Sequence, residues 1–131
     1  MAYRRGTIVL VPFPFTDLSQ RKARPAVVLS PEHINTRSPD VILAAISSTT
    51  PNVPNDLEFV LYKTDPRFKA TSLCVNLVVR ASKLLTIQQP LMYTILGELA
   101  DPLLHELDLR ITRALGFKDV RMCTRSCGWS A

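Results

Sequence analysis

Two apolar runs rich in β-branched residues, IVLV at 8–11 and AVVL at 26–29, flank a polar stretch that ends in Arg24-Pro25. Neither run carries a charge, and both are bounded by Pro or Ser, so each reads as a buried strand. This layout commits the N-terminal part of the chain to a sheet and aims an arginine at whatever the connecting loop encloses. The loop holds Thr16, Asp17, Ser19, Gln20, Arg21, Lys22 and Arg24. A simple hairpin turn does not need that polar density, so the loop is where function is expected.

The same strand signal recurs downstream. After a Pro-bounded loop at 31–39, the run DVILAAIS at 40–47 ends in the hydroxyl cluster Ser47, Ser48, Thr49 and Thr50, followed by Pro51, Asn52 and Pro54. Prolines of this kind stop a strand and shape a loop. Residues 57–62 alternate well enough for a half-exposed strand, Asp65-Pro66 marks a turn, and 73–80 is a fourth long apolar run ending at Arg80. Residues 84–87 and 92–96 are shorter candidates, separated by Gln88-Gln89-Pro90. Only the C-terminal part has helical character: Asp101 can cap, Pro102 fits the first helical position and Gly116 stands where a C′ glycine ends a helix. Leu103, Leu104, Leu107, Ile111, Ala114 and Leu115 fall on one helical face, with Leu109 as the misfit. A strand-rich body closed by one amphipathic helix predicts a mainly β (α+β) fold, a small, highly curved barrel with the helix over an open side. One domain over 1–118 is expected, with a loosely ordered tail at 119–131.

Charge narrows the function. The formal net charge is +5, and residues 1–37 carry six basic against two acidic side chains. A basic patch near the N-terminal strands suits phosphates or an acidic protein. No apolar run approaches a membrane span and the N-terminus lacks signal-peptide character, which makes the cytoplasm the default compartment. The odd cysteine count, Cys74, Cys123 and Cys127, lacks zinc-site spacing, so free thiols are expected, with Cys74 buried. His33 and His105 stand alone, which argues against a metal site, and no cofactor is expected. The four glycines are unclustered and frame no nucleophilic serine, which argues against a phosphate-cradling loop and a serine-hydrolase elbow.

What remains is arginine and hydroxyl at strand ends: Arg24, the group Ser47, Ser48 and Thr49, and Arg80. In a small barrel such ends can meet at one rim. Arginine presents a planar fork to a phosphate and stabilises the extra charge of a pentavalent phosphorus. That is chemistry for RNA cleavage, where the attacking 2′-OH is already in the substrate. The alternative from spacing alone is that Arg24 and Arg80 pair with carboxylates such as Asp17 while the hydroxyls cap a turn.

Gly6-Thr-Ile-Val, the PFPFTDLS loop at 12–19, the KARPAVVLS segment at 22–30 and Ala44-Ala-Ile46-Ser47 together resemble the MazF/PemK family of toxin endoribonucleases. The resemblance covers 4–116 in layout and is most specific over 6–30. It implies an SH3-like barrel of the CcdB/MazF type, a homodimer, and metal-independent cleavage of single-stranded RNA to 2′,3′-cyclic phosphate and 5′-OH ends. It also implies a small acidic antitoxin lying in the RNA groove. Carried over by motif, the catalytic arginine falls on Arg24 and the catalytic threonine on Ser47. A shift of one or two residues offers Ser48 or Thr49 instead. The later arginine matches Arg80, and the loop residues Thr16, Asp17, Ser19, Gln20, Arg21 and Lys22, with Ser48 and Thr49, line the RNA path. Serine in place of threonine loses the methyl that restricts χ1, and Thr7 replaces an acidic residue common in the family. Two alternatives stay open: a gyrase-binding protein of the CcdB kind, and a weakly active family member that keeps antitoxin binding.

Overall fold

The structure, a computed structural model, describes residues 3–14, 21–47, 57–71, 73 and 75–117. Six strands form one sheet: β1 (Thr7–Pro14), β2 (Arg21–Val28), β3 (Asp40–Ser47), β4 (Glu58–Leu61), β5 (Leu77–Gln88) and β6 (Thr94–Glu98). Their order is β4-β5-β3-β2-β1-β6, every neighbouring pair is antiparallel, and the sheet curls into a half-barrel. Among the described residues, two α-helices pack with the sheet, α1 (Glu32–Arg37) and α2 (Asp101–Leu115). The mainly β architecture with a C-terminal helix is the one the sequence predicts, and β3 has the predicted bounds.

Both faces of the central strands are apolar. Ile8, Val27, Ala44, Ile46, Leu77 and Val79 point to one side, where Leu103, Leu104 and Leu107 of α2 cover them. Val9, Val11, Ala26, Val28, Val41, Leu43 and Ala45 form the second cluster, on the other side. Burial on both faces explains why these strands read as continuous apolar runs rather than alternating ones. Of the predicted helical face, Leu103, Leu104 and Leu107 are buried, whereas Leu115, at the last turn, is half in solvent. Leu109 is exposed, as its misfit implies, and so is His105.

Several boundaries differ from expectation, each for a local reason. The stretch 31–39 is not all loop: α1 occupies its middle, with Pro31 in extended geometry before it, Glu32 in the first turn and Arg37 in the last. Charges in those places suit the helix dipole. Buried Asn35 anchors this short helix by donating to Tyr3 O and Ser30 O and accepting from Ser30 Oγ. His33 is therefore an exposed helix residue. The residue before α2 is Ala100, not Asp101, which stands inside the first turn. Gly116 ends α2 as expected, at φ 76°. There Gly116 N–H donates to Arg113 O and Phe117 N–H to Thr112 O, the two bonds of a Schellman motif.

The predicted strands at 73–80 and 84–87 are one strand, β5, which begins at Leu77 rather than 73. It pairs Leu84 with Ala44 but Arg80 with Ala45, so Ala81, Ser82 and Lys83 are extra residues that bend it. A bulge of this kind re-aims the strand and raises its twist. Between β4 and β5, Asp65 accepts from Arg67 through Nε, Nη2 and the backbone N–H. Those bonds, led by the side-chain ones, hold the Asp65 carboxyl well below its ordinary range, at about 2. Cys74, Cys123, Cys127 and the tail lie outside the described residues.

Candidate functional site

Arg24 is not in the loop before the second strand. It lies inside β2, paired with Val11 of β1, because β2 begins at Arg21. Pro25 had marked the start of the strand, since proline cannot donate to a ladder. In the structure Pro25 pairs with Leu10 of β1, and the β2–β3 ladder begins only at Ala26, so a residue without an N–H interrupts nothing on the β3 side. The first half of β2, with Arg24 in it, is paired with β1.

Ser47 is the last residue of β3 and pairs with Val78 of β5. The β2–β3 register runs Val28↔Leu43, Val27↔Ala44, Ala26↔Ala45. Two further steps along both strands bring Arg24 level with Ser47. Residues two apart share a face, so both belong to the side lined by Ala26, Val28, Leu43 and Ala45. Both are half-buried, and Arg24 Nε lies inside the surface.

Arg80 joins them from the next strand. It faces Ala45 of β3, two residues before Ser47, and diagonal neighbours of that kind stand about 7–8 Å apart. Arg80 therefore lies within β5 rather than after its end, with the bend beginning at the next residue. Its flanking residues Val79 and Ala81 point into the core under α2, which sends Arg80 to the face of Arg24 and Ser47. The intervening row is Ala45 and Ala26, small side chains that form a low floor between longer polar groups.

Arg80 has a partner that the sequence did not single out. Glu58 of β4 is its opposite in the β4–β5 ladder, and Glu58 Oε1 lies 3.6 Å from Arg80 Nη1. The sequence signal for Glu58 was only a carboxylate inside an otherwise apolar strand. Arg21 and Lys22 occupy the first two positions of β2, paired with Pro14 and Phe13. Thr16, Asp17, Ser19, Gln20, Ser48 and Thr49 lie outside the described residues, so the structure gives them no position.

Residues 4–115 match the model of the PemK-like, MazF-like toxin of type II toxin-antitoxin systems. The chain belongs to that family. This PemK/MazF-like chain shares its fold with "Endoribonuclease in complex with its cognate antitoxin from Mycobacterial species", at 19% identity and a TM-score of 0.70 over 90% of this chain and 99% of that one. An endoribonuclease from mycobacterial species gives a TM-score of 0.69 at 20% identity, covering 91% and 96% of the two chains. The MazE-MazF structure (Form-II) from Deinococcus radiodurans gives 0.66 at 21%, covering 90% and 99%. At these identities the likeness is one of fold. A comparison with curated protein sequences gives no match. Among the described residues, no helix is long and apolar enough to cross a membrane.

Proposed function

We propose that this PemK/MazF-like toxin is an endoribonuclease that cuts single-stranded RNA, mRNA included, without a metal ion. The observation that carries the reading is the strand register that brings Arg24 level with Ser47 on one face, in a chain of this family. In the proposed step the substrate's own 2′-oxygen attacks phosphorus and the bond to the 5′-oxygen breaks. The 2′-hydroxyl loses its proton and the departing oxygen gains one. The products are a 2′,3′-cyclic phosphate and a 5′-OH.

Arg24 is assigned to the charge that builds on the non-bridging oxygens. An arginine stays protonated at neutral pH, so it acts as a clamp rather than as a base. Its fork supplies in hydrogen bonds the stabilisation that a Lewis acid would otherwise give. Ser47 is assigned to orienting the same phosphate through its hydroxyl. Arg21 and Lys22, the first two residues of β2, add positive charge to the chain, which attracts the RNA backbone.

The proposed partners are the RNA, a small acidic antitoxin that competes for the same basic face, and a second copy of the chain in a homodimer. The proposed compartment is the cytoplasm. The test is incubation of purified protein with end-labelled single-stranded RNA, with and without EDTA. Cleavage that survives EDTA and leaves cyclic phosphate and 5′-OH ends is expected. Intact RNA combined with inhibited supercoiling by gyrase would replace this reading with the protein-binding one.

A further inference from the structure

Arg80 is set among groups that both fix it and weaken it. Its side chain is 21% exposed and that of Glu58 11%, so the pair is largely withdrawn from water. Their 3.6 Å separation is an ionic contact too long for a good hydrogen bond. Arg80 Nε is buried and makes no hydrogen bond, so the pair lacks the two-pronged geometry of a strong arginine–carboxylate fork. The backbone that carries the carboxylate is also held in place from behind. Arg110 of α2 donates from Nη1 to Glu58 O at 2.7 Å and stacks 5.4 Å over the Phe59 ring. Ala81 N–H donates to Leu57 O on the other side of the strand. The helix and the bent strand thus clamp β4, so the backbone of Glu58 keeps its place opposite Arg80.

A carboxylate 3.6 Å from the arginine, on the Arg24–Ser47 face and largely withdrawn from water, offsets much of that arginine's pull on an approaching phosphate. We infer that Glu58 is an internal counter-charge for Arg80 that limits how tightly this face holds RNA, a role that rests on the proposed ribonuclease reading. The Arg80 side chain then contributes little net attraction in the wild-type protein, although its position matches that of an RNA-contacting arginine.

The test measures binding of a random-sequence 2′-O-methyl RNA, which lacks the attacking hydroxyl and so cannot be cut by the proposed route. Glu58→Gln keeps the shape and removes the charge. It is expected to bind about three- to tenfold more tightly at low salt. Its plot of log affinity against log salt should steepen by about 0.7, the increment for one more effective cation on a single strand. Glu58→Asp keeps the charge and should retain the wild-type slope. Glu32→Gln, in α1 beyond the opposite end of β2, makes the same change in net charge and should leave binding unchanged. If Glu58→Gln fails to fold by circular dichroism, Glu58→Gln/Arg80→Gln removes both charges. Near wild-type affinity in that double variant supports the inference, and a large loss overturns it. Unchanged or weaker binding by a folded Glu58→Gln also overturns it, while wild-type cleavage of ordinary RNA keeps the ribonuclease reading. A wild-type protein that neither binds nor cuts RNA removes the reading and the inference together.

Discussion

At the scale of single residues, the proposed chemistry asks different things of Arg24 and Ser47. A guanidinium supplies several donors in a fixed plane, and a lysine supplies one compact charge. Arg24→Lys is therefore expected to lose at least about 100-fold in cleavage rate, as losing one preorganised donor does elsewhere, with Arg24→Ala worse still. Unchanged circular dichroism would show that the fold is kept, and near wild-type cleavage by either variant would remove Arg24 from the mechanism. Ser47 offers one hydroxyl without the β-methyl that restricts χ1 in threonine. Ser47→Thr should keep or raise activity by narrowing the choice of χ1, whereas Ser47→Ala should lower it. Full activity in Ser47→Ala would move the hydroxyl role to Ser48 or Thr49. Asp65 makes a separate prediction about pH. Its carboxyl is lowered from the ordinary 3.8 to about 2 by the Arg67 hydrogen bonds. The stabilisation is thus fully present above the unfolded value and fades as pH falls from there toward 2. Asp65→Asn should flatten the stability profile in that acid window and sit slightly below wild type near neutrality, where the lost stabilisation is fully present, as read by thermal melts across pH. Arg67 is exposed and Asp65 only half-buried, so solvent screening keeps the effect small.

At the scale of elements, the sequence was legible wherever a run was apolar on both faces, and less so where local chemistry and pairing disagreed. Residues 40–47 were readable end to end because Pro39 and the hydroxyl cluster bracket an unbroken apolar run. The start of β2 was hidden by Pro25, whose missing N–H marks a break only if a neighbour needs it, and β3 does not pair there. The continuity of β5 was hidden by Ser82 and Lys83, which look like a gap but form a bend within one strand. The six residues of α1 are too short for a helical period to register. For the site, Arg24 and Ser47 were legible as residue types, while their alignment depends on a register that only the paired strands define. Glu58 needed the β4–β5 ladder to be noticed at all. The joint between β6 and the turn after Asp65 rests on Gly97. A Cβ there would stand 2.4 Å from Ala70 O and 2.6 Å from Thr71 O, both backbone atoms. Gly97→Ala should therefore destabilise the fold by about 1–3 kcal/mol through overpacking, measured by urea denaturation. A midpoint equal to wild type would mean that the backbone there yields freely.

At the scale of the whole molecule, the candidate site exists only because three strands distant in sequence are held in one register. β2, β3 and β5 bring Arg24, Ser47 and Arg80 to one face, while the opposite face of the same strands is sealed by α2. Site and anchor are thus on opposite sides of one sheet. Arg5 adds a tie between them by donating from Nε to Leu29 O while pairing with Asp108 of α2. Leu107 is fully buried at the centre of the helix contact, and it reaches the Arg24 face only through the sheet. Leu107→Ala should cost about 2–5 kcal/mol, the usual range for a truncated core leucine. If the domain unfolds as one unit, that loss lowers the melting temperature without altering the chemistry of the molecules that remain folded. The expected result is a clear drop in melting temperature together with RNA cleavage per folded molecule close to wild type, measured well below the transition. A variant that stays folded but cuts far more slowly would instead show that α2 tunes the strand register, coupling the helix to the Arg24–Ser47 face through the sheet between them.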